Sequence, residues 1–270
     1  MDAASAHLTT LTRVGFAARG LLYIVIAALL IGTGQARDLA GALAYLGEGP
    51  GRLLLIVMTV GFMAYGFWRF VDALFDLERH GSDLKGIGGR LAAAGSGAIY
   101  LALAWQAVRL IGGTRDALSG SDSKDEAARM AFALPGGALM LMAAGATLAS
   151  AGLFQMVKAW RGHFLRHLEP GVGGRPWVHW TGRFGYAARG IVFMVSGYFL
   201  VRAGLDHRPA ETGGIAEALA WLDPPWDIAT AIGILCFGLF SLVEARYRVI
   251  RDVPIGALAD QVGTKMAKKS

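Results

Sequence analysis

At 270 residues, with 54% hydrophobic residues, 17% charged residues and a mean hydropathy of +0.46, the chain is too apolar for a soluble domain, in which about 25% of residues carry charge. The net charge of +6 does not mark a nucleic-acid binder, because the basic residues flank apolar runs and are not interleaved with a base-stacking platform. A single cysteine, Cys236, lies inside the last apolar run, which excludes a disulfide framework and a thiolate metal cluster and leaves a small buried apolar residue.

The apolar runs are about 20 residues long, the length with which an α-helix crosses roughly 30 Å of hydrocarbon, and they lack the alternation of a β-barrel. The first span is predicted from Val14 to Thr33. It resembles a signal peptide in its small-residue ending, but an equivalent run beginning at Gly185 is internal, so the first is expected to be retained. Asp38 to Leu46 is too short to span and reads as a short helix at the membrane surface, ended by Gly49, Pro50 and Gly51. The second span follows from Leu53 to Leu74, then a polar loop from Asp76 to Arg90. The third is predicted from Leu91 to Ile111. After a loop from Gly112 to Arg129, a short apolar piece, Met130 to Leu134, stops at Pro135. The fourth span is placed at Ala138 to Val157, and Lys158 to Gly182 reads as the longest loop. The fifth span runs from Gly185 to Val201, and the short piece Ile215 to Leu222 stops at Asp223-Pro-Pro225. The sixth runs from Ile228 to Val243, before a basic tail with Lys265, Lys268 and Lys269.

This order is a threefold repeat. Arg13-Val-Gly-Phe-Ala-Ala-Arg-Gly20 returns as Arg183-Phe-Gly-Tyr-Ala-Ala-Arg-Gly190, with a worn copy, Arg90-Leu-Ala-Ala-Ala-Gly-Ser-Gly97, between them. The second spans align too: Gly66-Phe-Trp-Arg-Phe-Val-Asp-Ala73, Gly152-Leu-Phe-Gln-Met-Val-Lys-Ala159 and Gly238-Leu-Phe-Ser-Leu-Val-Glu-Ala245. Each repeat is span, short helix, stop, span, over approximately 13–75, 90–160 and 183–248 of a single membrane domain, 1–270. Two crossings per repeat give all three the same orientation, a parallel repeat and not the inverted kind of many alternating-access transporters. Of the 26 Lys and Arg residues, 18 fall on the side of the two termini and eight on the other, which places both termini in the cytoplasm and the short helices outside.

Arg19 and Arg189 lie about five residues, roughly 7 Å, inside their spans, and a charge at that depth snorkels or finds a partner. The second spans of the same repeats end with Asp72 and Glu244, whereas the middle repeat has Ser96 and Lys158 in the two places. Arg and acid are kept or lost together, so Arg19 with Asp72 and Arg189 with Glu244 are expected to be ion pairs fastening the two spans of a repeat. The alternative is pairing along one helix, Asp72 with Arg69 and Glu244 with Arg248. Gly20, Gly66, Gly97, Gly152, Gly190 and Gly238 are expected to let membrane helices approach closely. No Asp, Glu, Lys, Arg or His lies near the middle of any span, which counts against a proton-coupled pump. His163 and His167 stand four apart with His179 beyond, but no acid or cysteine completes a ligand set and Arg161 and Arg166 repel a cation, so no metal site is expected. Gly86-Ile-Gly-Gly89 and Gly171-Val-Gly-Gly174 read as flexible lead-ins. No motif for a nucleophile, a phosphate or a cofactor occurs.

The Gly-Phe/Tyr-Ala-Ala-Arg-Gly opening, the short helix ending in proline and the Gly-x-aromatic second span resemble the DUF1206 family of bacterial membrane proteins. The resemblance runs from about Arg13 to Arg248, strongest in the first and third repeats. It implies a six-span protein of a bacterial cytoplasmic membrane and brings no activity with it.

The sequence thus points to an all-α integral membrane protein of six transmembrane helices in three parallel two-helix repeats, with short amphipathic helices between the spans. The expectation is a non-enzymatic structural or interaction element of the envelope, partnered by the lipid bilayer, without catalytic residues, cofactor, metal or nucleic acid. The alternative is a small channel or transporter with a path along the pseudo-threefold axis. A pore calls for polar groups along a continuous centre, and a packing role for a closed centre lined by Gly and Ala.

Overall fold

The computed structural model describes residues 3–34, 36–37, 39–47, 51–76, 81, 83–113, 132–133, 136–207, 215–222 and 224–249. Six helices are long and apolar enough to cross a membrane: α1 (Ala3–Thr33), α3 (Arg52–Phe75), α4 (Leu84–Ile111), α5 (Gly137–Arg161), α6 (Pro176–Asp206) and α8 (Trp226–Tyr247). The short helices α2 (Leu39–Gly47) and α7 (Ile215–Ala220) join the spans of the first and third repeats. Most of the corresponding piece of the second repeat, and the basic tail, lie outside the described residues.

The helices outrun their apolar cores at the charged ends. Asp83 caps α4, its Oδ1 accepting from the Gly86 amide at 2.9 Å, so Gly86 to Gly89 form helical turns and not a lead-in. A side-chain cap at this place satisfies one of the amides a helix start leaves orphaned. The segment read as the longest loop is mostly helical too. α5 continues to Arg161, a 3-10 turn covers His163–His167, one helical turn covers Pro170–Gly173 including two of the lead-in glycines, and α6 begins at Pro176 in the first-turn position that suits proline. This connection folds against the bundle. Phe164 is fully buried between Tyr186 and Phe240, and the Val249 and Glu169 amides tie the segment to the end of α8, donating to His167 O and Tyr247 O. On the opposite face α2 buries Ala42 and Leu43 completely, packing on α1, α3 and α4. It is part of the bundle's end and not a detached surface helix.

The spans pack side by side in the order α5, α6, α8, α1, α3, α4. Within the first and third repeats the two spans meet through small residues: a Cβ at Gly61 or Gly233 would overlap that of Ala18 or Ala188, and one at Gly15 or Gly185 would stand 2.6 Å from Tyr65 or Phe237. Between repeats the contact is a reciprocal pair of glycines. A Cβ on Gly20, Gly97 or Gly190 would lie 2.8, 3.0 or 2.9 Å from the carbonyl oxygen of Gly238, Gly66 or Gly152, so the first span of each repeat lies backbone to backbone on the second span of another.

The second repeat departs from this plan. α4 and α5, its own two spans, make almost no contact with each other among the described residues. The residues that would form the contact explain why. Where the other repeats have Gly15 and Gly185, this one has Ala92, and where they have Gly61 and Gly233, it has Thr147. Ala92, Gly95 and Thr147 are exposed, whereas Gly15, Ala18, Gly61, Gly185, Ala188 and Gly233 are buried. Among the described residues the row of six spans is therefore open between α4 and α5.

Candidate functional site

The arginines of the repeated opening meet neighbours that the repeat pattern alone misassigns. Arg19, 6% exposed, donates from Nη2 to Glu244 Oε2 at 2.5 Å, from Nη1 to Tyr65 Oη at 3.1 Å and from Nε to Ser241 Oγ at 3.2 Å. Its guanidinium also lies over the rings of Phe16 (4.5 Å), Phe237 (5.2 Å) and Tyr65 (5.5 Å), an arrangement that stabilises a desolvated cation. Glu244 holds a second cation, Arg248, at 2.8 Å through Oε1. The expected pairs Arg19–Asp72 and Arg189–Glu244 do not form. Asp72 pairs with Arg69 at 3.3 Å along its own helix, and Arg189 donates from Nη1 to Gln155 Oε1 at 3.4 Å. The physical reason is the helix face. Gly15 and Ala18 turn toward the second span of the same repeat, while Arg19 and Gly20 turn, about 100° per residue round the helix, toward the second span of another.

Two of the outer arginines, Arg90 and Arg183, also reach the second span of the preceding repeat. Arg90 donates to the carbonyls of Ala73 (2.7 Å) and Leu74 (3.0 Å), and Arg183 to that of Trp160 (3.0 Å). Each closes the C-terminal turn of the preceding repeat's second span, where carbonyls lack helical partners and a cation is favoured.

At α8 with α1 stand Arg19, Ser241 and Glu244, and at α3 with α4 stand Ser96, Arg69 and Asp72. At α5 with α6 stand Arg189, Gln155 and Lys158. Each of these three sets has one arginine, but only two have an acid. Gln155 aligns with Arg69 and Ser241 as the fourth residue of the second-span motif. That column was readable in the alignment and marks the residues that face the arginine. The Arg–acid columns looked like partners within a repeat only because the chain order hides which spans are neighbours.

Lys158 donates to Tyr186 Oη at 3.2 Å and sits 4.4 Å from that ring's centroid. Arg189 lies over Phe193 (4.7 Å), Phe237 (4.9 Å) and Tyr23 (5.7 Å), and its Nε is buried with no hydrogen-bond partner. Buried aromatic rings pack between neighbouring spans: Tyr23 edge-on to Phe237 at 4.8 Å, Tyr65 to Tyr100 at 4.5 Å, and Phe62 against Tyr100. The glycines Gly20, Gly66, Gly97, Gly152, Gly190 and Gly238 lie at the close helix pairs described above.

His163 and His167 fall on a 3-10 turn, where three residues make a turn and a spacing of four does not align two rings. His179 begins from the next helix, its ring near Gly162. The His163 imidazole is held below its ordinary pKa, first by desolvation and then by Arg166, Arg161 and Lys158. Cys236 is half-buried.

Comparison with known proteins agrees with this architecture. A relative of the chain, the uncharacterized protein YxxB of Bacillus subtilis (strain 168), is 29% identical over 249 residues, covering 87% of this chain and 90% of its own. No solved structure matches. The family model described as Domain of Unknown Function (DUF1206) matches three times, over residues 14–76, 91–162 and 184–248, the three repeats just described. The chain belongs to the DUF1206 family.

Proposed function

We propose that the chain is a non-enzymatic, non-conducting protein of the bacterial cytoplasmic membrane, both termini inside, that acts as a structural or interaction element through its lateral surfaces. The observation that carries this reading is the buried aromatic packing between neighbouring spans. Tyr23, Phe62, Tyr65, Tyr100 and Phe237 are each at most 4% exposed, with Tyr23 against Phe237 between α1 and α8, and Phe62 and Tyr65 against Tyr100 between α3 and α4. An aqueous path needs polar groups and space there. Of the two arginines beside these rings, Arg19 is held by Glu244, Tyr65 and Ser241, and Arg189 donates to Gln155. The terminal orientation is supported by the excess of Lys and Arg at the ends of α1, α3, α4, α5, α6 and α8 that share one face. The outward surface is broad and apolar, including Trp105, Phe154 and Trp226, as lipid contact or lateral association requires. The purified full chain in liposomes is expected to add no flux of potassium, protons or small neutral solutes over protein-free liposomes. Flux that scales with protein content overturns the proposal in favour of a channel.

A further inference from the structure

We propose that the opening between α4 and α5 is a binding site for one anionic phospholipid, with the lipid phosphate held by Arg189 and Lys158 and an acyl chain lying between the two helices. The inference stands on charge and on space, and does not depend on the functional reading above.

The charge argument comes from the repeat itself. In the two junctions that carry an acid, each buried arginine has a carboxylate: Arg19 has Glu244, and Arg69 has Asp72. In the third the acid's place is taken by Lys158, so two cations face one another's helices, and among the described residues their side-chain acceptors are the neutral Gln155 and Tyr186. Gln155 and Lys158 share one face of α5 three residues apart, as do Tyr186 and Arg189 on α6, so the two contacts are successive rungs between the same helices. The arginine bond is long at 3.4 Å and its buried Nε has no partner. A cation in this setting is stabilised by an anion that brings several acceptor oxygens, and phosphate suits both the arginine fork and the lysine point charge. Both cations lie toward the face where most Lys and Arg collect, and although Arg189 starts roughly 7 Å inside its span, arginine side chains on a helix lean back toward its N-terminus, here toward that face and its lipid phosphates.

The space argument is the missing helix contact. The same junction shares α5 with the opening: among the described residues α5 packs on α6 and makes almost no contact with α4. Ala92, Gly95 and Thr147 face outward there, and a Cβ built on Gly95 would meet nothing within 4 Å. On the α4 side Tyr100 keeps a buried hydroxyl with no hydrogen-bond partner. A free anion would satisfy the charges without needing an opening toward the bilayer; a lipid uses both.

The test uses the full chain in mild detergent. Native mass spectrometry with equal amounts of phosphatidylglycerol and phosphatidylcholine should show one preferentially retained phosphatidylglycerol. Arg189→Gln and Lys158→Gln should each weaken that retention about tenfold, the worth of one charge-assisted contact, while Arg202→Gln at the opposite face leaves it unchanged. Equal retention of the two lipids, or insensitivity to both substitutions, overturns the site. So does displacement of the lipid by inorganic phosphate at millimolar concentration, which would mark an ion site. A second measurement leaves the cations intact: a fluorophore on Thr147→Cys, in a Cys236→Ser background, should be quenched more by phosphatidylglycerol with brominated chains than by brominated phosphatidylcholine. Equal quenching, or protection from both lipids as a second copy of the chain would give, overturns the proposal.

Discussion

Replacing Glu244 by Gln tests whether the ion pair that closes the bundle between the last and first spans is the one that matters. Glu244 is 2% exposed and accepts from Arg19 at 2.5 Å and from Arg248 at 2.8 Å. A hydrogen bond to a charged group contributes about 1.5–3 kcal/mol. Glutamine keeps the volume and one carbonyl acceptor, so one contact is weakened and the other is lost. Two cations then remain in a buried site without an acid, a situation that costs about 3–5 kcal/mol when a buried pair is broken. Tyr65 and Ser241 still accept from Arg19, which favours the lower end, about 3 kcal/mol, or roughly a hundredfold in the folded-to-unfolded ratio. The assay is equilibrium unfolding in mixed micelles, run as a double-mutant cycle with Arg19→Met. Coupling of about 2 kcal/mol is expected between positions 19 and 244, and less than about 0.5 kcal/mol between 19 and 72, residues with separate partners. Equal coupling in the two cycles, or a larger value for 19 with 72, refutes the assignment of neighbours.

Two further outcomes follow from the same geometry. Giving the third repeat the second repeat's residue, Gly233→Thr, forces a side chain against Ala188 and should cost about 1–3 kcal/mol, whereas Thr147→Gly on the open face should stay within about 0.5 kcal/mol; unfolding midpoints for the two variants check this, and equal effects would contradict the packing. The His163 ring should titrate, by proton NMR, below the midpoint of His in a short peptide, because desolvation and then Arg166, Arg161 and Lys158 oppose its charging. The sign is fixed by linkage: a folded-state value below the unfolded one means that the unfolded chain binds the proton more readily, so this group's contribution favours folding as pH rises through that window and opposes it as pH falls. A midpoint above the peptide value would remove the cationic cluster from the account.

Six spans, their repeat and their borders in the apolar core were legible because hydropathy and the copied motif are local properties of the chain. The ends were less so. Asp83, Pro170 and Pro176 extend helices through polar sequence by capping and by first-turn geometry, which a count of apolar residues does not register. The pairing of charges was misread for a different reason. Covariation of Arg19 and Arg189 with Asp72 and Glu244 across three copies is a property of columns, and a column in a ring of repeats is satisfied equally by a contact within a copy or with the next. What decides between the two is the face on which Gly20, Gly97 and Gly190 lie, and those glycines meet the preceding copy's Gly238, Gly66 and Gly152.

The same ring logic explains why the second repeat is worn. A closed ring of six needs both kinds of contact, own-repeat and next-repeat, three times over. The chain keeps all three next-repeat contacts, with their reciprocal glycines, and gives up one own-repeat contact by placing Ala92 and Thr147 where glycine is required. At the neighbouring junction it also replaces the acid with Lys158. Loss of an acid alone would leave a buried charge uncompensated, and loss of a helix contact alone would leave a slot of small residues. Each is unfavourable by itself, yet they border the same helix, α5, and one anionic amphiphile relieves both. Restoring either feature separately, by Lys158→Glu or by Ala92→Gly with Thr147→Gly, should therefore weaken lipid retention by different routes: the first by pairing Arg189, the second by letting α4 and α5 close.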